Sequence, residues 1–340
     1  MGSRFRPRLR KVMLDRRSLG AWILTAALLL TIAGAQAQHA EQGVQARSCP
    51  AAPKALTRDD MTVGMRNARD RGFLWRISKD GHTSYLYGTL HALKQDWMYP
   101  GATVLRAVKA SDRIALELDL LDADIAQRLS VAVMAAASDT ALPGPLAARI
   151  RVEAERACVP LRVLSTMFPE MQVATLMVLA SRSDGMYGEY ASDVFLSGLA
   201  RALHKPVVSL ETPELQMQTV RLENTQERIA MLEKGLAELR SKNARALGLR
   251  MGEMWAGSRL DELQRYLEWC ECIDTDGERR YWHRLLDDRN PGLAKGIAAI
   301  HESGQTVFAA VGSLHMIGTA GLPALFAQRG YRVEFVTFRP

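Results

Sequence analysis

Leu86-Tyr87-Gly88-Thr89-Leu90-His91-Ala92-Leu93 and Ala310-Val311-Gly312-Ser313-Leu314-His315-Met316-Ile317 share one plan: an apolar strand, then glycine, a hydroxyl residue, leucine and histidine. Two further apolar runs also end in a chemically useful side chain. Arg113-Ile114-Ala115-Leu116 leads into Glu117, and Pro206-Val207-Val208-Ser209-Leu210 leads into Glu211. Short apolar runs rich in branched and aromatic residues, bounded by turn chemistry, read as buried strands. In α/β sheets ligands bind in the crevice beyond the carboxyl ends of the strands. If these four strands run parallel and side by side, two imidazoles and two carboxylates converge there. Glycines at 88 and 312 let the backbone turn sharply or approach a ligand.

Working outward, Phe73-Leu74-Trp75-Arg76-Ile77 pairs with Ser84-Tyr85-Leu86-Tyr87 through the turn residues Lys79-Asp80-Gly81, which predicts a hairpin. Helical periodicity follows at about 101–110, 122–136, 145–157, 168–182 and 192–203. From Thr212 to Ser303 the pattern is almost wholly helical; Thr306–Val311 returns to strand, Leu322–Arg329 to helix and Tyr331–Val336 to a closing strand. The expected fold class is therefore α/β (or α+β): a central mixed β-sheet with flanking helices and a large helical insertion at about 212–303. Residues 38–70 are polar and irregular, with Pro50 and Pro53, and read as a linker ahead of a domain at 71–340.

Composition excludes disorder and collagen-like repeats: 48% hydrophobic and 24% charged residues describe an ordinary globular chain with a sizeable core. The formal charge of +7 invites a nucleic-acid partner, but its location removes that reading. Residues 1–37 hold seven basic residues (Arg4, Arg6, Arg8, Arg10, Lys11, Arg16, Arg17) and one acid, Asp15; the remainder, 37 basic and 36 acidic, is close to neutral at +1. A basic stretch to Arg17, an apolar run from Leu19 to Ala33 and Ala35-Gln36-Ala37 form the layout of a secretory signal peptide. The apolar run is shorter than the roughly 20 residues that span a bilayer. The expected location is exported and periplasmic, with secretion or an uncleaved N-terminal anchor as alternatives. Cys49, Cys158, Cys270 and Cys272 suit an oxidising compartment. With only Glu271 between them, a Cys270–Cys272 bond would be strained, so Cys49 joined to a distant partner is the easier bridge.

Two histidines with one or two carboxylates suit a divalent ion such as Zn, Mn, Co or Fe, and a carboxylate left off the metal would act as general base. The bland alternatives are a hydrogen-bonded loop histidine and, for Glu211 before Thr212-Pro213, a helix start. Gly312-Ser313-Leu314 is not a nucleophile elbow. His82, His204, His283 and His301 have no partners at ligand spacing.

The ordered boxes Tyr-Leu-Tyr-Gly-Thr-Leu-His at 85–91, Leu-Glu-Leu-Asp at 116–119, Val-Val-Ser-Leu-Glu-Thr at 207–212, Asp-Arg-Asn at 288–290 and Ala-Val-Gly-Ser-Leu-His at 310–315 resemble TraB/GumN proteins. The closing Gly330-Tyr331-Arg332-Val333 fits too, so the likeness covers about 72–338. That family includes Tiki, a metal-dependent protease, beside pheromone-shutdown and GumN members, and is grouped with erythromycin-esterase-like and haem-binding ChaN-like folds. The resemblance implies a metal-dependent hydrolase, a peptidase first, acting on a peptide or protein substrate. It carries over His91, His315, Glu117 and Glu211 as metal ligands, Glu117 or Glu211 as catalytic base, and Arg289 as stabiliser of the oxyanion. Asp193 falls where the family often has an acid after glycine, although Ala191-Ser192 precedes it here. The rival expectations are a non-catalytic haem-, metal- or peptide-binding protein and an interaction protein working through its helical insertion.

Overall fold

The computed structural model describes residues 49–134 and 141–338; the signal-like leader lies outside the described residues. Six strands form one mixed sheet in the order β4-β3-β5-β2-β1-β6. They are β1 (Phe73–Lys79), β2 (His82–Thr89), β3 (Arg113–Leu116), β4 (Val207–Ser209), β5 (Val307–Gly312) and β6 (Arg332–Phe335). β2 pairs with β5, β5 with β3, and β3 with β4, all in parallel. β1 joins β2 and β6 antiparallel. The four strands that end in His91, Glu117, Glu211 and His315 are thus the parallel, contiguous ones, and their carboxyl ends open on one edge of the sheet.

The local chemistry explains the order. Asp80 and Gly81 both take positive φ, 52° and 80°, as a two-residue hairpin between right-twisted strands demands. Parallel neighbours need crossovers, and helices Ala102–Ala110 and Ser192–Ala202 supply two of them. Both faces of the sheet are covered, so β5 reads as an unbroken apolar run, with Val307 to Val311 no more than 1% exposed. Trp255, also 1% exposed, packs beneath β2 and donates its indole N–H to the Gly88 carbonyl at 2.7 Å.

One feature departs from the sequence reading. Residues 58–67, within the segment read as irregular linker, form a helix started by a capping box: Thr57 Oγ1 accepts from Asp60 N at 3.1 Å and Asp60 Oδ2 accepts from Thr57 N at 3.0 Å. This helix has no fully buried residue, and its inward face is a short one, Met61 and Met65 packed against the core. A second apolar core, centred on Phe168, Leu164, Leu176, Leu232 and Leu236, draws on helices from 123–179 as well as 213–241. The helix Asn290–Glu302 instead packs on the sheet, through Leu293, Ala294 and Ile297.

Two disulfides are present, Cys49–Cys158 and Cys270–Cys272. The second forms despite the expectation against it, with Glu271 between its ends at φ 51°. Loop-closure entropy separates the two in worth. Cys49 and Cys158 stand 109 residues apart, a loop that stabilises by about 4–5 kcal/mol, whereas a two-residue separation gives under about 2 kcal/mol. Removing the first bridge with Cys49→Ser and Cys158→Ser is expected to lower the urea midpoint clearly more than removing the second. Equal shifts would contradict this ordering.

No helix among the described residues is long and apolar enough to cross a membrane.

Candidate functional site at the carboxyl ends of the parallel strands

β3 and β4 run into the site in register. Beyond the strands the Glu211 N–H donates to the Glu117 carbonyl at 3.1 Å, which sets the two glutamates side by side. Their carboxylates are bridged by one guanidinium. Arg289 donates from Nη2 to Glu117 Oε2 at 2.6 Å, from Nε to Glu211 Oε1 at 2.9 Å, and from Nη2 to Glu211 Oε2. Its Nη1 donates to the Leu285 carbonyl at 2.9 Å, fixing the side chain against the end of the preceding helix. All three side chains are largely buried, Glu211 to 3% and Glu117 to 12% exposure. Two carboxylates against one cation leave this cluster at −1.

Gln216 completes the bridge: its Nε2 donates to Glu117 Oε2 at 3.1 Å and to Glu211 Oε2 at 3.0 Å. The Gly312 N–H donates to Glu117 Oε1 at 2.7 Å. A Cβ at 312 would stand 3.2 Å from that same oxygen, so glycine serves here for close approach rather than for an unusual φ. Burial works against charge on Glu117. It is outweighed by the positive groups around it, His315 and Arg289 foremost with His91 and the Gly312 N–H behind, which together hold the carboxyl down to about 2. His315 is neutral at pH 7, so the permanent Arg289 cation is the lasting part of that pull.

The two histidines differ despite their matching sequence context. His315 is 3% exposed and its Nδ1 lies 2.6 Å from Asn290 Oδ1. The Asn290 amide nitrogen donates to the Ala320 carbonyl at 2.9 Å, which turns the amide oxygen to the ring. His315 therefore carries its proton on Nδ1 and leaves Nε2 bare, 4.0 Å from Glu117 Oε2. His91 is exposed, and its Nδ1 stands 2.9 Å from Asp193 Oδ2. The loop is stitched to the start of helix Ser192–Ala202 by Leu90 N–H to Ser192 Oγ at 3.0 Å and Ser192 N–H to the Leu90 carbonyl at 3.1 Å. The Asp193 carboxylate raises the His91 imidazole to about 9. Asp193 is thus part of the site.

Burial, which disfavours the imidazolium, pushes His315 down to about 4 from its ordinary 6.5. Its folded value lies below its unfolded one, so between these limits the unfolded chain binds the extra proton and stability rises with pH. The metal-free protein is expected to lose roughly 2–3 kcal/mol through His315 as pH falls from about 6.5 to about 4. The pH dependence of urea unfolding should be flatter by that amount in His315→Gln; an unchanged profile would contradict the assignment.

Four of the sequence-derived site residues and Arg289 therefore meet in one electrostatic neighbourhood. Sequence reasoning missed Gln216 altogether, and it placed Asn290 only as a member of a box. Other candidates stay outside. Ser313 is buried and donates to the Thr89 carbonyl at 2.9 Å, which agrees with its rejection as a nucleophile. His301 pairs with Ser84 Oγ at 2.8 Å, and His283 with Asp287.

The donor set bears on whether a metal fits. Among the described residues, no three His, Cys, Asp or Glu side chains are already gathered into a cation cage. Both imidazoles nonetheless have Nδ1 committed to an oxygen acceptor, the arrangement that orients a ligating histidine. The 4.0 Å between His315 Nε2 and Glu117 Oε2 is within the ~4.2 Å that two bonds of ~2.1 Å can span. His315 and Glu117 thus stand at a spacing that one ion could bridge, with the oriented His91 ring at the end of the adjacent strand.

No curated protein and no solved structure matches the chain. A family model described as the TraB/PrgY/gumN family matches residues 73–335, from the first strand to the last and across every residue of the site. The chain belongs to the TraB/PrgY/gumN family.

Proposed function

We propose that this chain is an exported, divalent-metal-dependent hydrolase that cleaves peptide bonds in peptide or protein substrates. One observation carries the reading: at the ends of adjacent parallel strands, His315 leaves Nε2 bare and His91 has its ring oriented through Nδ1, beside an ionised Glu117, and an ion would displace the proton that Asp193 keeps on the His91 ring near neutrality. Two imidazole nitrogens and a carboxylate oxygen suit Zn, Mn, Co or Fe. The peptide preference follows the resemblance to the metal-dependent protease of this family. The leader-like residues 1–37 and the two disulfides support export.

His91, His315 and Glu117 would hold the ion, which supplies Lewis acidity toward a carbonyl and a more acidic bound water. The chain's own residues then have separable tasks. Asp193 and Asn290 orient the imidazoles. Glu211 has both oxygens engaged by Arg289 and Gln216 and is nearly buried, so it anchors the guanidinium rather than activating water. Arg289 uses four of its five N–H groups in the bonds described; the remaining one, on Nη1, is available to an oxygen on which negative charge develops.

Metal analysis of purified protein tests the proposal. Wild type is expected to retain a divalent ion that His91→Ala and His315→Ala lose. Equal, negligible metal in all three would overturn it.

A further inference from the structure

We infer that Gln216 gates the metal site by competing with the ion for Glu117 Oε2, an inference that rests on the metal reading above. A carboxylate oxygen offers two in-plane lone pairs. On Glu117 Oε2, the oxygen that faces His315 Nε2, one is taken by Arg289 Nη2 at 2.6 Å and the other by Gln216 Nε2 at 3.1 Å. The orientation of the Gln216 amide is not arbitrary. The same nitrogen also reaches Glu211 Oε2 at 3.0 Å, and two carboxylate oxygens can face only the donor end of an amide.

The two donors differ in how readily they leave. Arg289 is forked across both carboxylates, charge-assisted and buried to 11% exposure. Gln216 is neutral, only half-buried, and holds the two carboxylates through two longer bonds from its amide nitrogen. It stands in the first turns of helix Pro213–Val220, whose start is fixed by Pro213 and by the Thr212 hydroxyl accepting from Leu215 N at 3.3 Å. The backbone under Gln216 is therefore firm while its side chain can swing. Arg289 leaves the carboxylate pair at −1, which attracts a cation; Gln216 fills the oxygen without changing that charge. At Oε2, the oxygen turned to His315 Nε2, an ion gains its ligand when the amide gives way, so Gln216 keeps the ion weakly held and exchangeable.

Cobalt(II) titration of the metal-free full chain, read by visible absorption and by equilibrium dialysis, tests this without any substrate. Gln216→Met removes the donor and keeps the length, and it is expected to tighten Co2+ binding about tenfold or more. Gln216→Ala should do the same and guards against a packing fault peculiar to methionine, with folding of each variant checked by circular dichroism. Adding Glu117→Gln to either variant should abolish the gain. Wild type and both variants binding Co2+ equally, or the variants binding more weakly, would overturn the gate while leaving the metal reading intact. No Co2+ binding by any of the proteins would overturn both.

Discussion

Replacing Arg289 by alanine is expected to lower the unfolding free energy by about 3–5 kcal/mol, the cost of removing one partner from a buried ion cluster. Glu117 and Glu211 would be left facing each other with Gln216 and the Gly312 N–H as their remaining donors. Neither is exposed enough for water to take over the role of the guanidinium. One carboxylate should then hold a proton near neutrality, because two like charges at that separation disfavour joint ionisation. The deficit should shrink in acid, where protonation removes the repulsion. Arg289→Lys should recover only part of the loss, since a point charge cannot span both carboxylates as a fork does. Arg289→Met combined with Glu211→Gln should recover more, because the uncompensated charge is gone. Urea unfolding checks each variant; a loss below about 1 kcal/mol in Arg289→Ala would mean the cluster is far wetter than its burial implies.

His315→Ala is expected to cut hydrolysis of a peptide mixture by at least about 100-fold, with metal content falling in parallel. The ring supplies the buried, neutral nitrogen that faces Glu117, and among the described residues no other histidine stands in that position. Asn290→Ala should act through the ring instead. It keeps the imidazole but frees it to rotate, and second-layer partners of this kind are worth about 10–100-fold in metal affinity. Activity in His315→Ala within tenfold of wild type would remove His315 from the chemistry.

The sheet was legible because its four parallel strands are continuous apolar runs with turn chemistry at both ends, and because each ends in a chemically distinctive residue. The convergence of His91, Glu117, Glu211 and His315 followed from that pattern together with the rule that sites form beyond strand ends. What the pattern could not convey is environment. His91 and His315 occupy equivalent positions in matching motifs, yet one is exposed and paired with a carboxylate, and the other is buried against an amide. Those partners come from helices distant in sequence. Gln216 had no signal of its own, since a glutamine in a helix is ordinarily a solvated residue. The helix at 58–67 escaped because it is short, its apolar face is little more than Met61 and Met65, and its start is marked by a capping box. Cys270–Cys272 shows the opposite error: a local rule about bond strain disfavoured a bridge that a left-handed Glu271 accommodates.

A catalytic divalent ion in the strand-end cluster, as proposed, can be located by its own scattering. Crystals grown with Co2+ or Zn2+, measured at the metal's absorption edge, test it most directly. An anomalous peak is expected within bonding distance of His91 Nε2, His315 Nε2 and Glu117 Oε2, with the Gln216 amide displaced from Glu117. Protein saturated with the ion but showing no peak there, with Gln216 and Arg289 still bridging both glutamates, would contradict it.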